Sequence, residues 1–369
     1  MLPLNWQKVR LGDIGKPCCC KRVIKHQTTR YGEIPFYKIG TFGNTADAFI
    51  SKKLFLEYKT KYSFPKKGDI LISASGTIGK AVIYDGKPAY FQDSNIVWID
   101  NDETLVKNDF LFYAYSNVKW NTEHTTILRL YNDNFRNTLI PLPPLNEQSA
   151  IANVLSGLDR YLCALDALIL KKESVKKALS FELLNQRKRL KGFNQAWQRV
   201  RLGDIANYLT SNLSVEQITQ QGEIKVYDVN NFIGYTDITF ISDKPYISIV
   251  KDGSVGRVRI LPPKTNILST MGALIANHRT TTEFLFYLLS NFDFKNFTSG
   301  SIIPHIYFKD YKEKTIFLPP LNEQSAIANI LGTLDNEIAS LKNKKRQFEN
   351  IKKALNHDLM SAKIRVLEK

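Results

Sequence analysis

The residues of this chain that come nearest to a reaction site are Ser73-Ala74-Ser75-Gly76-Thr77-Ile78-Gly79-Lys80. A GxxxxGK loop followed by Ser or Thr holds phosphate because its backbone N–H groups face the anion and its lysine reaches the phosphate oxygens. Here Ala74 stands where the first glycine is needed and Ala81 where the hydroxyl belongs, so the segment reads as a turn between strands. No GxGxxG, GxSxG, HExxH or CxxC occurs, and His26, His124, His278, His305 and His357 are scattered along the chain. Cys18, Cys19 and Cys20 are adjacent and Cys163 is remote, a spacing that fits neither a disulfide nor a CxxC metal site and implies free thiols. Neither an Asn-Pro-Pro-aromatic methyltransferase tetrad nor a Pro-Asp/Glu-x-Lys nuclease core is present. The expectation is a chain that catalyses nothing and holds no metal or cofactor.

What the chain does carry is duplication. Leu142–Asn153 and Leu318–Asn329 both read LPPLNEQSAIAN, an offset of 176, and Trp6–Ile14 (WQKVRLGDI) returns as Trp197–Ile205 (WQRVRLGDI), an offset of 191. A two-part unit of that length is no solenoid repeat, whose period is ~20 to 50 residues. It implies two related domains, each followed by a tail, with a pseudo-two-fold relation. The middles diverge but keep echoes: Gly32-Glu33-Ile34 with Gly222-Glu223-Ile224, Gly76-Thr77-Ile78-Gly79-Lys80 with Gly253-Ser254-Val255-Gly256-Arg257, and Phe110-Leu111-Phe112-Tyr113 with Phe284-Leu285-Phe286-Tyr287. The offset falls from 190 to 177 between the first two echoes, which puts thirteen extra residues of the first half between Tyr37 and Ser75. A shared fold with divergent loops is expected, and loops are where recognition resides.

At 369 residues and 43% apolar content the chain can build more than one core. No apolar run of membrane-spanning length and no secretory leader is visible, so no membrane partner is expected and a cytoplasmic location is. The net charge of +16 suggests a polyanionic partner, most simply nucleic acid. Three-quarters of it sits in two stretches, +6 in 171–191 and +6 in 342–369.

Each tail reads as one long helix. After Pro143-Pro144, Asn146 is expected as the N-cap and Glu147 suits the positive end of the helix dipole. Ile151, Leu155, Leu158, Leu162, Leu165, Ile169, Lys172, Lys176, Leu179 and Leu183 follow steps of four and three, and the second tail repeats the register with Ile327, Leu331, Leu334, Ile338, Leu341, Lys345, Phe348, Lys352, Leu355 and Leu359. An average step of 3.5 sustained over four to five heptads predicts a coiled-coil seam, in which the lysines weaken the distal halves. Some 38 residues would make a rod of roughly 57 Å. Between the tails, Ile70-Leu71-Ile72-Ser73, Ala81-Val82-Ile83-Tyr84 and Ile96-Val97-Trp98-Ile99 read as strands, and Phe110–Tyr115 and Phe284–Leu289 as short helices. The fold class is therefore α+β, without the alternation of a doubly wound parallel sheet.

Paired WxxVxLGDI segments, GTIGK-type turns and paired LPPLxEQxxIAxxL segments opening long helices resemble the specificity subunit of Type I restriction-modification systems, over essentially the whole chain. The resemblance implies a target recognition domain at 1–144, a central long helix at 145–195, a second recognition domain at 196–320 and a distal long helix at 321–369, with the two helices antiparallel. It further implies a non-catalytic subunit that reads an asymmetric, bipartite double-stranded DNA target and binds two methyltransferase subunits. Restriction subunits are a further possible partner. S-adenosylmethionine, ATP and Mg are expected on those partners and not here. The rival readings are a stand-alone pseudo-dimeric DNA-binding protein and an enzyme without a familiar motif.

Base reading in the major groove calls for polar side chains on loops. The candidates in the first domain are Thr41, Asn44, Ser75, Thr77, Lys80, Arg129, Tyr131 and Arg136. Those in the second are Tyr227, Asn230, Asn231, Ser254, Arg257, His278, Arg279, His305, Tyr307 and Lys309. For the glycine turns a purely structural role is equally expected. For Tyr131 and Tyr307, equivalent at offset 176, core packing is the favoured expectation.

Overall fold

A computed structural model of the chain describes Pro3 and residues 5–124 and 128–367. Two compact units result: one takes the chain up to Leu165 together with the segment from Lys344, the other Asp166–Asn343. The division cuts both long helices, Leu145–Leu184 and Leu321–Met360, near their middles. Each unit thus contains one β-rich domain, half of one long helix and half of the other.

The first unit is built on an antiparallel sheet ordered Gly15–Cys19, Ile96–Asn101, Ile70–Ser73, Ala81–Ile83. Its central strands are apolar on both faces because both faces are covered, and side chains alternate between them. Ile70, Ile72, Val97 and Ile99 join the core that contains the helix Asn108–Tyr115 and the long-helix residues Ile151, Leu155, Leu359 and Met360. Leu71, Ile96 and Trp98 point the other way, into a core shared with a smaller sheet ordered Ala48–Ile50, Ile34–Tyr37, Tyr90–Phe91. Cys20 lies in that second core, where burial pushes its thiol up to about 12, and all four cysteines are free.

The second unit repeats the plan with Ala206–Thr210, Met271–Ala276, Tyr246–Val250 and Val258–Leu261, and with Phe232–Thr236, Ile224–Tyr227 and Thr265–Ile267. In each unit the WQxVRLGDI strand pairs with the strand that runs into LPPL, Gln7–Arg10 with Leu139–Leu142 and Gln198–Arg201 with Thr315–Leu318. The first unit has a helix at Lys52–Lys61, capped by Ser51 Oγ accepting from the Leu54 amide at 3.2 Å, where the second has none. That helix lies in the stretch to which the offsets assign the thirteen extra residues.

The cap of each long helix lies two residues before the expected one, Asn146 in the first helix and Asn322 in the second. The Pro144 carbonyl accepts from the Gln148 amide at 2.9 Å, as the Pro320 carbonyl does from Gln324, so the second proline is the cap and Asn146 lies within the first turn. A proline suits that position because its missing N–H is one the helix leaves unused. Both helices end alike. Gln186 and Ala362 turn left-handed at φ +57, and the Arg187 and Lys363 amides reach back to the Glu182 and Asp358 carbonyls at 2.9 Å, the 6→1 bond of a Schellman turn.

Those turns direct Arg189 and Arg365 onto the start of the opposite helix. Arg365 donates to both oxygens of Glu147 at 2.9 and 2.7 Å while Trp6 Nε1 donates to the same carboxylate at 3.0 Å. In the second unit Arg189 donates at 3.2 and 2.6 Å to Glu323, and Trp197 Nε1 at 2.9 Å. These glutamates are 2% and 0% exposed. The neighbouring Gln148, also buried, accepts from the Lys107 amide and donates to the Leu105 and Pro143 carbonyls; Gln324 accepts from Thr280 and Thr281 and donates to the Arg279 and Pro319 carbonyls. Two residues of the NEQ motif thereby fasten each helix to its own domain and to the other helix.

Halfway along each paired segment a second clamp repeats. Tyr113 donates to Asp159, which also takes the Lys352 ammonium; Tyr287 donates at 2.9 Å to Asp335, which takes Lys176 at 2.5 Å. Burial and the acceptor carboxylate raise both phenols above the ordinary tyrosine value. Three of the four seam lysines, Lys172, Lys176 and Lys352, meet Glu337, Asp335 and Asp159 on the facing helix.

The Glu147 contact generates a prediction. Glu147→Ala leaves Arg365 without its buried partner and should destabilise the first unit by about 3–5 kcal/mol. Hydrogen exchange should lose protection over residues 145–155 and 355–365 and keep it over the paired helix segments of the second unit.

Candidate nucleic-acid interface

The glycine turns are structural first. Ser73 Oγ accepts from the Lys80 amide at 3.0 Å and donates to the Thr77 carbonyl, closing the loop between Ile70–Ser73 and Ala81–Ile83. Gly76 and Gly79 have φ of +66 and +82, and Gly253 and Gly256 of +81 and +80. A Cβ at Gly79 would lie 2.1 Å from Trp120 Nε1, and one at Gly256 would lie 2.6 Å from the Phe294 ring. An aromatic side chain therefore sits directly on the second glycine of each turn, and neither position admits a larger residue. The phosphate-loop likeness ends there.

Each turn is joined to a second hairpin at equivalent positions. In the first unit Ser75 bridges Arg129, with the Leu130 amide donating to the Ala74 carbonyl at 2.8 Å. In the second, Asp252 bridges His305, with Ile306 donating to Lys251 at 2.9 Å and Gly253 to Pro304 at 2.8 Å. The backbone frame is the same while its side chains differ. Arg129 donates to Ser94 Oγ and Ser75 to Asn95, whereas His305 Nδ1 lies 2.6 Å from Asp252.

Lys80 and Arg257, also equivalent, secure a neighbouring loop on this face. Lys80 Nζ donates to the Phe42 carbonyl at 2.5 Å, beside Thr41 and Asn44. Arg257 donates at 2.8 Å to the side chain of Asn230, whose carbonyl accepts from Arg259 at 3.0 Å, and Arg259 stacks over Tyr227 at 5.2 Å. The Asn230 and Asn231 amides are turned in by Asp228. Thr77 and Ser254 are exposed on the turns themselves.

Tyr131 and Tyr307 correct an expectation. They are not core residues: each stands just before a short helix with 39% and 49% of its surface exposed, Arg129 lying over one ring and Lys309 over the other. The bulk that the core needs at these places comes instead from Phe135 and Tyr311, four residues on.

Three candidates lie apart from the hairpin face. Arg136 packs against Gly12 of the WQxVRLGDI segment. The Arg279 guanidinium donates to Gln198 and its carbonyl accepts from Gln324, which ties it to the base of the long helix, and His278 is exposed beside it. Sequence reading missed the Trp–Glu–Arg and Tyr–Asp–Lys clamps, although every member recurs between the halves. Among the described residues no group of three or more His, Cys, Asp and Glu could hold a metal, and no helix is long and apolar enough to cross a membrane.

Residues 3–173 and 194–350 match the Type I restriction modification DNA specificity domain. The chain belongs to the family of Type I restriction-modification specificity subunits. A putative type I restriction enzyme specificity subunit of Haemophilus influenzae is 62% identical over 152 residues, which is 41% of this chain and 40% of that protein. The MjaVIII specificity subunit of Methanocaldococcus jannaschii is 24% identical over 408 residues, covering 99% of this chain and 94% of its own. The crystal structure of a Type I restriction-modification S subunit from M. genitalium shares the fold at a TM-score of 0.64 and 20% identity, over 97% of this chain and 98% of that one. A chain from a structural study of type I complex assembly and conformational transition aligns at 0.58 and 16% identity, over 99% and 100%. Specificity subunits of this family are non-catalytic and carry no cofactor themselves.

In this specificity subunit the two glycine turns should respond alike to substitution. Gly256→Ala forces a Cβ into the Phe294 ring at a left-handed φ and should lower stability by roughly 2–4 kcal/mol, more than strain alone. Adding Phe294→Ala should recover the steric part, which thermal unfolding of the single and double variants would reveal as non-additivity.

Proposed function

We propose that the chain reads an asymmetric, bipartite duplex DNA target, its recognition domains being 1–144 and 196–320 and each reading one half-site. The carrying observation is that one backbone frame, turn plus bridged hairpin, is built twice and furnished differently, with Ser75, Arg129 and Tyr131 in one unit and Asp252, His305 and Tyr307 in the other. Two identical readers would need a palindrome, whereas two differently furnished ones need two unlike half-sites. On this reading Thr41, Asn44, Thr77, Lys80, Tyr227, Asn230, Asn231, Ser254, Arg257 and Lys309 border the contact, and Arg136, His278 and Arg279 serve it from farther off.

The long helices 145–195 and 321–369 then pair through Ile151 to Leu165 and Ile327 to Leu341 and scaffold two methyltransferase subunits in the cytoplasm. S-adenosylmethionine is bound by the methyltransferase partners, and ATP and Mg by restriction subunits where the complex includes them. The NEQ clamps support this reading, since a scaffold that must hold each domain in one orientation needs its helices tied to both.

The isolated chain should neither methylate nor cut DNA, and should direct methylation once methyltransferase subunits are supplied. Replacing residues 15–140 with those of a related subunit should change one half-site in methylome sequencing and leave the other half-site and the spacer as they were. A change in both half-sites would contradict separate reading.

A further inference from the structure

Within the frame shared by both units, one position differs in chemistry rather than in size or charge alone. Where the first domain bridges Ser75 to Arg129, the second bridges Asp252 to His305, and the two side chains meet, His305 Nδ1 lying 2.6 Å from Asp252 Oδ1. The backbone around the pair is fixed by the Gly253-to-Pro304 and Ile306-to-Lys251 hydrogen bonds. The ring edge rests against Gly300, whose Cβ would lie 3.0 Å from His305 Cδ2. The pair is not buried: the side chains keep 36% and 30% of their surface exposed.

A carboxylate can only accept, so the proton between the two groups belongs to Nδ1. In the neutral imidazole that leaves Nε2 with a lone pair and no hydrogen. We propose that His305 reads a base of the second half-site through Nε2 as an acceptor, and that Asp252 sets what is read by holding the proton on Nδ1. The inference rests on the hairpin face being the DNA contact. Its ligand chemistry is definite: the group recognised is an exocyclic amino group in the major groove, N6 of adenine or N4 of cytosine. Asp252 is then a positioning residue and His305 a specificity residue, in contrast to Arg129, whose guanidinium can only donate.

Inverting the proton arrangement inverts the preference. In Asp252→Asn the amide can donate to Nδ1, which moves the ring proton to Nε2 and makes that atom a donor, as replacing the orienting aspartate does in a serine-protease triad. His305→Lys offers donors only. Adenine N6 and guanine O6 occupy the same place, as do cytosine N4 and thymine O4, so both variants should convert the base pair at one position by a transition, A·T to G·C or the reverse.

The test is methylome sequencing of cells expressing each full-length variant with its methyltransferase subunits. His305→Ala should relax a single position of one half-site, by roughly tenfold in preference, and leave the other half-site and the spacer intact. Asp252→Asn and His305→Lys should each yield the transition at that position, an outcome that merely loosening the hairpin would not produce. An unchanged motif in all three variants, relaxation spread over both half-sites, or a transversion would overturn the inference. Lys309→Glu, at an exposed position, separates loss of the contact face from loss of the proton-controlled reading. Undiminished DNA binding by that variant in the assembled complex would remove the contact face itself. Weakened binding together with an unaltered motif in the His305 and Asp252 variants would remove only the proton-controlled reading.

Discussion

Everything in each unit is referred to one buried carboxylate. Glu147, and Glu323 in the repeat, sit where a helix leaves its domain, with an indole from the strand that opens the domain on one side and a guanidinium from the end of the other long helix on the other. Removing a carboxylate from water is costly, and it is tolerated here because both oxygens are held by charged or strongly polar donors. That cost makes the arrangement selective. A helix rotated or slid by one residue would separate the carboxylate from its partners and leave an uncompensated charge in a core. The hydrophobic seam alone, built of interchangeable Leu and Ile, discriminates far less between registers.

From that anchor the division of labour in each domain follows. The sheet face packed with the helix Asn108–Tyr115, or with Thr282–Ser290 in the second unit, belongs to the core that the long helices enter. The opposite face carries the smaller sheet, and the glycine turns and bridged hairpins are connected to the same central strands. The base reading proposed for these hairpins would require rigid backbone placement of their side chains, because a hydrogen bond discriminates only if its donor cannot wander. The aromatic side chain set on each turn's second glycine and the bridge to the hairpin supply that rigidity.

The parts legible in the sequence were those with a period or a repeat. The duplicated unit, the α+β class, the long helices and their register, the short domain helices and the location of the inserted Lys52–Lys61 segment all follow from offsets and heptad steps. The cap was misplaced by two residues because a side chain suited to capping, Asn146, stands just beyond a proline, Pro144, whose carbonyl serves as well. The tyrosines were misjudged because an aromatic side chain beside a core residue looks the same in sequence whichever of the two turns inward, and Phe135 and Tyr311 are the ones that do. The clamps stayed hidden for a different reason. Their members lie far apart in the chain, Glu147 and Arg365 being 218 residues apart, and no local pattern announces a pair that only the fold assembles.

The same long-range pairing changes the meaning of the basic charge. Two stretches of +6, 171–191 and 342–369, suggest polyanion binding when read alone. Within the units, however, Lys172, Lys176 and Arg189 face Glu337, Asp335 and Glu323, and Lys352 and Arg365 face Asp159 and Glu147. Each basic end thus lies along the acidic start of the other helix. A parallel arrangement would set +6 against +6 and acid against acid, so the charge distribution opposes it as strongly as it favours the antiparallel one. Exposed pairs of this kind add little stability one by one. Their contribution is to direction, and with direction fixed, each arginine arrives at the buried glutamate that its own helix cannot reach.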